Sequence, residues 1–328
     1  MNFNKIIFIL IMVTSTVTTM SANNWLGMWM GMEINLMSFI PLIHMKKNKK
    51  TSQGCMIYFL SQSIGSILLL FSILINKFIM YNAVEELSQM IMTVSLMIKL
   101  ASAPFHMWLP EMMVYLNWTN CFLLMTWQKM APLTILSFNP NNMVMINIVL
   151  SSMLGAIGGL NQTSMRKIMA YSSINHLSWI MMMMMMEKSW YTYMLIYTII
   201  IMLMMMLLMK KNIYFMNQIT SYKLTMMEKV TISSLMMSMG GMPPFMGFIP
   251  KWMVMQNMIN SQLWLIMLVM VLMSLLTLFY YIRMFFPMIM IYNTKIKWSK
   301  TQLNTNKMIT IIFSTNLMLP LVLTMPMF

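Results

Sequence analysis

The stretch Gly240-Gly241-Met242-Pro243-Pro244-Phe245-Met246-Gly247-Phe248-Ile249-Pro250-Lys251-Trp252 interrupts an apolar segment, 228–258, that is long enough to cross a membrane. Pro243, Pro244 and Pro250 remove backbone donors and the glycines loosen the chain, so a helix break is expected here. At membrane depth, freed backbone groups are tolerated only inside protein or beside a water-filled cavity. Lys251 adds a charge whose insertion at a bilayer centre costs about 2.5 to 3.5 kcal/mol, and its usual place is on an ion or substrate pathway. Broken backbone and a buried ammonium together predict a transport path.

The flanking chain fits that reading. Of 328 residues, 59% are hydrophobic and only 8% charged, against about a quarter charged in soluble domains. Apolar runs bounded by charge, Asn or Pro number about eleven. They cover 3–22, 24–44, 54–76, 87–107, 112–138, 143–161, 168–186, 190–209, 228–258, 261–287 and 307–327. The predicted fold class is an all-α polytopic membrane protein, a single domain over 1–328. Residues 1–22 imitate a secretory signal, with Lys5, an apolar run and Thr19-Met20-Ser21-Ala22. The many spans that follow favour a retained first helix.

The net charge of +15 invites a nucleic-acid partner, but the basic residues sit in short clusters between apolar runs, so no nucleic acid is expected. If alternate loops lie on opposite sides, one side collects Lys5, Lys46, Lys47, Lys49, Lys50, Arg166, Lys167, Lys210, Lys211, Lys223, Lys229, Lys295, Lys297, Lys300 and Lys307. The other side holds only Lys77 and Lys188, accompanied by Glu85, Glu86 and Glu187. That division places the amino terminus on the positive side.

Cys55 and Cys121 are too few for a four-cysteine cluster or a disulfide framework. No Cys-His spacing suggests a metal, and no nucleophile–base constellation or Gly-rich phosphate loop suggests catalysis by this chain alone. The 56 methionines, with the run Met181 to Met186, exceed any packing need, although methionine fills lipid-facing and irregular surfaces well. A reassigned isoleucine codon accounts for them better and points to an organelle-encoded product without a cleavable import peptide.

The ionisable residues left within spans are Glu33, Lys99, Lys129, His176, Lys251 and Arg283. Arg283, near the basic end of its helix, reads as a snorkelling side chain. His106 and Glu111 read as solvated at a loop edge. Pro104 follows Lys99 and Pro132 follows Lys129, so each of the three lysines has a helix breaker nearby. A buried Glu–Lys pair that only fixes packing would be the structural reading. One carboxylate cannot neutralise three lysines, however, so some of them must lose protons or contact water. His176 suits proton transfer, or is simply a hydrogen-bonded core histidine. The breaks near Lys99 and Lys251 fall in the fourth and ninth spans, the arrangement of an inverted repeat. Its halves would cover roughly 1–140 and 141–290, followed by a final helix, 307–327.

Three motifs, Gly240 to Trp252, Lys99-Leu100-Ala101-Ser102-Ala103-Pro104-Phe105-His106-Met107-Trp108-Leu109-Pro110 and Ala170-Tyr171-Ser172-Ser173-Ile174-Asn175-His176, together resemble the chain 2 family of NADH:ubiquinone oxidoreductase. These are antiporter-like membrane subunits of respiratory complex I, and the methionine load and length are similar to insect mitochondrial versions. Either of the first two motifs alone is shared with sister subunits and with multisubunit cation/proton antiporters. The resemblance implies a proton-translocating subunit of the mitochondrial inner membrane with its amino terminus in the matrix. It implies a proton relay through Glu33, Lys99, Lys129, His176 and Lys251, with helix breaks at Pro104, Pro243, Pro244 and Pro250. It also implies no flavin, iron–sulfur cluster or quinone site in this chain, NADH, FMN, clusters and ubiquinone being bound by other subunits. Expected partners are sister antiporter-like chains, other complex I membrane subunits and phospholipids. The rival readings are a cation/proton antiporter subunit and a membrane-arm scaffold that conducts no protons.

Overall fold

A computed structural model describes residues 3–44, 48–78, 82–221, 225–293 and 307–318. Lys46, Lys47, Lys223, Lys295, Lys297 and Lys300 of the basic set, and 319–327 of the last predicted span, lie outside the described residues. The described chain is helical, apart from one isolated bridge between Ser164 and Phe215. It divides into two compact units, Met1–Ser151 and Ser152–Phe328.

The first unit holds α1 (Phe3–Ser21), α2 (Trp25–His44), α3 (Lys49–Phe78), α4 (Asn82–Leu100), α5 (Trp108–Tyr115), α6 (Trp118–Met125) and α7 (Trp127–Phe138). In α1 the hydroxyls of Thr14, Ser15, Thr16, Thr18 and Thr19 each donate to the carbonyl three residues back, which satisfies them without solvent. Gly31 of α2 faces Thr19 and Ser15, so the two backbones approach as small-residue interfaces allow in lipid.

α8 (Met143–Leu160) contains the boundary between the units. The second unit continues with α9 (Met165–Met185), α10 (Trp190–Lys211), α11 (Met216–Ser221), α12 (Met226–Gly240), α13 (Phe248–Asn260), α14 (Trp264–Asn293) and α15 (Lys307–Asn316). α9 is its central helix, buried on all sides from Ile168 to Met184 save Tyr171. The run Met181 to Met184 is therefore core rather than lipid-facing. α14 is two-faced. Leu265, Leu268, Leu272, Leu275, Phe279 and Phe286 are exposed at alternating spacings of three, four and seven, while Met270, Thr277, Tyr280, Tyr281 and Met284 are buried. Such an outward apolar stripe is what a lipid-facing helix requires.

Among the described residues, six helices are long and apolar enough to cross a membrane: α1, α2, α3, α8, α10 and α14. The remaining predicted spans carry charges or breaks. The run 87–107 ends as helix at Leu100 and restarts at Trp108, so the predicted start at 112 falls inside α5, and Leu116-Asn117 separates α5 from α6. One of the two loop-edge expectations changes. Glu111 is exposed, but His106 is only 8% exposed, its Nδ1 lying 3.2 Å from the Pro104 carbonyl. Arg283 turns inward, donating to the carbonyls of Leu160 and Gln162 past the end of α8, where it covers polar groups the helix leaves open.

Candidate functional site

In each unit one helix breaks beside a lysine around a left-handed residue, and these two breaks have the same construction. In the first, α4 closes with Ala101 at φ 57°, the Ala101 N–H donating to Ile98 O and the Ser102 N–H to Met97 O. In the second, α12 closes with Gly241 at φ 79°, the Gly241 N–H donating to Ser238 O and the Met242 N–H to Met237 O. This paired closure around a left-handed residue ends a helix by satisfying two of its last carbonyls. Both loops then return to helix through the same register. Trp108 opens α5 and Phe248 opens α13, with Pro110 and Pro250 in the first turn, where a missing N–H costs nothing. Pro104 lies inside the first break and Pro243 and Pro244 inside the second, whereas Pro250 helps start α13.

Side-chain donors add to this closure differently in the two units. At the first break neutral donors do it: Trp108 Nε1 gives Ile98 O a second bond at 3.0 Å, and Gln62 Nε2 donates to Lys99 O at 3.3 Å. At the second break titratable groups do it. His176 Nε2 lies 3.2 Å from Met239 O, and Lys251 Nζ donates to Gly240 O at 2.7 Å. The last four carbonyls of α12 thus all have partners, two of them side chains that can change charge. A cation at this end is favoured by the helix dipole as well as by the hydrogen bond. Trp179, one turn after His176 on α9, places its ring 5.9 Å from Lys251 Nζ. Gly241 has no room for a Cβ because Lys251 lies across it, its Cδ 2.6 Å away. Gly247 lets the loop fold back until its backbone meets that of Ser238.

In the first unit, Lys99 sits one residue from the end of α4 and is 7% exposed. Its Nζ meets the Met32 sulfur at 3.9 Å. Glu33, the next residue on α2, is half-buried and acts on Lys99 electrostatically, while its Oε1 is buried without a hydrogen-bond partner among the described residues. Gly65 of α3 comes so close to Lys99 Cγ, 3.0 Å from its would-be Cβ, that a larger residue would crowd the lysine. Lys129, near the start of α7 and 3% exposed, shares with Lys99 a small, narrow polar space walled by Tyr58, Gln62 and Gln128. An adjoining small space reaches Asn35 and Pro132. Tyr58 Oη donates to Gln128 Oε1 at 3.2 Å, and Gln128 Nε2 donates to Asn35 Oδ1 at 3.1 Å. Polar walls with several donors and acceptors suit water better than an apolar molecule.

The fold thus brings Lys99 and Lys129 to one polar space in the first unit, with Glu33 next in sequence to the Met32 that Lys99 touches, and His176 and Lys251 to one helix end in the second. Sequence reasoning did not single out Asn35, Tyr58, Gln62, Gln128 or Tyr193. Gln62 and Gln128 carried a signal, as amides inside apolar runs; Tyr58 and Tyr193 did not, because tyrosine in a span is as often a packing residue.

A helical membrane domain with two matched helix breaks, each beside a buried lysine, belongs to the antiporter-like class of transport subunits. The profile described as NADH:quinone oxidoreductase/Mrp antiporter, TM, matches residues 22–277. NADH-ubiquinone oxidoreductase chain 2 of Anopheles gambiae is 41% identical over 94% of this chain and 93% of its own length. The chain 2 proteins of Locusta migratoria (39% identical, 94% and 92% covered) and Dasypus novemcinctus (36%, 93% and 90%) are similar too. The chain belongs to the NADH:quinone oxidoreductase/Mrp antiporter transmembrane family, and within it to the chain 2 group. The fold is also that of a chain in respiratory complex I from Thermus thermophilus, with TM-score 0.79, 17% identity and coverage of 98% of this chain and 78% of that one. A chain of the Mrp complex from a Dietzia species gives TM-score 0.72 at 14% identity, covering 91% and 62%.

Proposed function

We propose that this chain is a proton-translocating core membrane subunit of respiratory complex I, one part of an H⁺-translocating NADH:ubiquinone reductase whose redox centres sit in other subunits. It is a multi-pass protein of the mitochondrial inner membrane, with its amino terminus in the matrix and sister antiporter-like chains and phospholipids as neighbours. With α4 and α5, α6 and α7, and α12 and α13 taken as interrupted spans and the six-residue α11 left out, the described helices are compatible with eleven passages, two of them the broken helices of an antiporter-like repeat. Glu33, Lys99 and Lys129 of the first unit and His176 and Lys251 of the second carry the protons. The energy comes from outside the chain. A charge change in a neighbouring subunit alters the attraction between Glu33 and Lys99, and Lys99 then exchanges a proton through the polar space it shares with Lys129.

The observation that supports this reading best is the shared space, because it puts two buried lysines on one small polar gap walled by Tyr58, Gln62 and Gln128, where water and side-chain oxygens can pass a proton between them. The test is a series, Lys99→Met and Lys129→Met, in the assembled enzyme, scoring assembly separately from proton translocation and quinone reduction. Assembled enzyme with fewer protons per electron pair is expected. Full pumping in both variants would favour the scaffold, and sodium flux coupled to quinone reduction would favour the cation antiporter.

A further inference from the structure

His176 is held at both ring nitrogens, and the two partners are not equivalent. Met239 O, at 3.2 Å from Nε2, is a backbone carbonyl and can only accept, so Nε2 carries a hydrogen whether the ring is neutral or charged. Nδ1 is therefore the nitrogen that gains or loses a proton. It faces the hydroxyl of Tyr193 on α10 at 3.0 Å. Both residues are buried, at 5% and 1% exposure, and the Tyr197 ring lies 4.9 Å from the imidazole, leaving little room for a ring flip that would exchange the nitrogens.

We infer that Tyr193 is a positioning residue of the relay, whose hydroxyl holds Nδ1 of His176 as the protonation site and must change its own bonding each time the ring is charged. The inference rests on the reading of His176 as a proton carrier. In the neutral ring, Tyr193 O–H donates to the Nδ1 lone pair. In the imidazolium, Nδ1–H donates and the hydroxyl oxygen accepts, so its hydrogen points elsewhere. An incoming proton therefore arrives in one of two balanced ways. The hydroxyl hands its proton to Nδ1 while its oxygen takes another from the pathway, breaking one O–H bond and forming one. Otherwise the hydroxyl rotates aside and the donor reaches Nδ1 directly. Either way, removal of the hydroxyl takes the Tyr193 hydrogen bond from Nδ1 in both charge states, while the bond between Nε2 and Met239 O remains.

The test is infrared difference spectroscopy on the assembled enzyme during turnover, paired with protons translocated per electron pair. The imidazole band is assigned by its loss in His176→Gln, whose amide can keep a donor toward Met239 and an acceptor toward Tyr193 but carries no exchangeable charge. The expected wild-type band is that of a ring bearing its hydrogen on Nε2. Tyr193→Phe, which keeps the aromatic packing, is expected to shift that band by the loss of the tyrosine hydrogen bond at Nδ1 and to lower the proton-to-electron ratio in enzyme that still assembles. A wild-type band from the Nδ1–H tautomer overturns the inference without any variant having to assemble. An unshifted band, or unchanged pumping in Tyr193→Phe, overturns it as well while leaving His176 as a carrier. If no band disappears in His176→Gln, His176 itself is no carrier and the inference falls with that reading.

Discussion

Replacing Gly241 by alanine separates the conformation of the second break from the placement of its lysine. A Cβ at this position would stand 2.6 Å from Lys251 Cδ, 2.9 Å from Nζ and 3.0 Å from Cε, where ordinary contact begins at 3.4 Å. The left-handed backbone alone does not forbid alanine, since Ala101 occupies the corresponding place at φ 57° in the first unit; that conformation costs an L-residue roughly 1 to 2 kcal/mol. The lysine is what must yield. It has to withdraw by most of an ångström, and with Nζ only 2.7 Å from Gly240 O that withdrawal breaks the bond. A hydrogen bond to a charged group is worth about 1.5 to 3 kcal/mol, so the combined cost is about 2.5 to 5 kcal/mol. More than half of it falls on Lys251 rather than on the chain around it. Gly241→Ala enzyme is therefore expected to assemble on native gels and to reduce quinone, but to move fewer protons per electron pair in sealed membrane vesicles. Wild-type pumping by a fully assembled Gly241→Ala enzyme would refute the reasoning.

Gly247→Ala is expected to be far more damaging, because its Cβ would meet the Ser238 carbonyl oxygen at 1.7 Å, with backbone on both sides and no side chain to give way; overpacking costs about 1 to 3 kcal/mol even where side chains can yield, so loss of assembled complex on native gels is the expected outcome. Gly31→Ala brings a Cβ to 2.4 Å from Thr19 Cγ2 and 3.1 Å from Ser15 O, so it should lower the temperature of thermal inactivation, and adding Thr19→Ser, which removes that Cγ2, should recover part of the loss. Gln128→Leu leaves the Tyr58 hydroxyl and Asn35 Oδ1 without each other's bridge, at about 1 to 3 kcal/mol for each unsatisfied group. It also strips a polar wall from the cavity of Lys99 and Lys129, so both thermal stability and the proton-to-electron ratio should fall.

The membrane class and the two breaks could be read from composition and from prolines beside buried lysines, because lipid penalises both so strongly that neither occurs there without a reason. The register shared by the breaks was legible but hidden. Pro104-Phe105 and Pro110 recur as Pro244-Phe245 and Pro250, yet the residues between them differ, and the left-handed position is filled by Ala101 in one case and Gly241 in the other. Counting spans finds the pair, but only the helix-end hydrogen bonds align it. Neighbours of the ionisable groups were less accessible. His106 looked solvated because a histidine after Pro104 reads as loop, whereas the loop itself is folded into protein. Tyr193 gave no sign because its role depends on α9 and α10 presenting one side chain each to the same point, a tertiary fact without sequence periodicity. The methionine run on α9 carried no placement signal: unbranched side chains that would suit lipid equally well fill the interior of the second unit.

The central claim is that buried titratable groups at the helix breaks carry protons rather than merely hold the fold together. Lys251→Met in the assembled enzyme tests it most directly, since methionine preserves much of the side-chain bulk and removes the charge that caps Gly240 O. Fewer protons translocated per electron pair delivered to quinone are expected. An assembled Lys251→Met enzyme with both quinone reduction and proton translocation unchanged would contradict the claim.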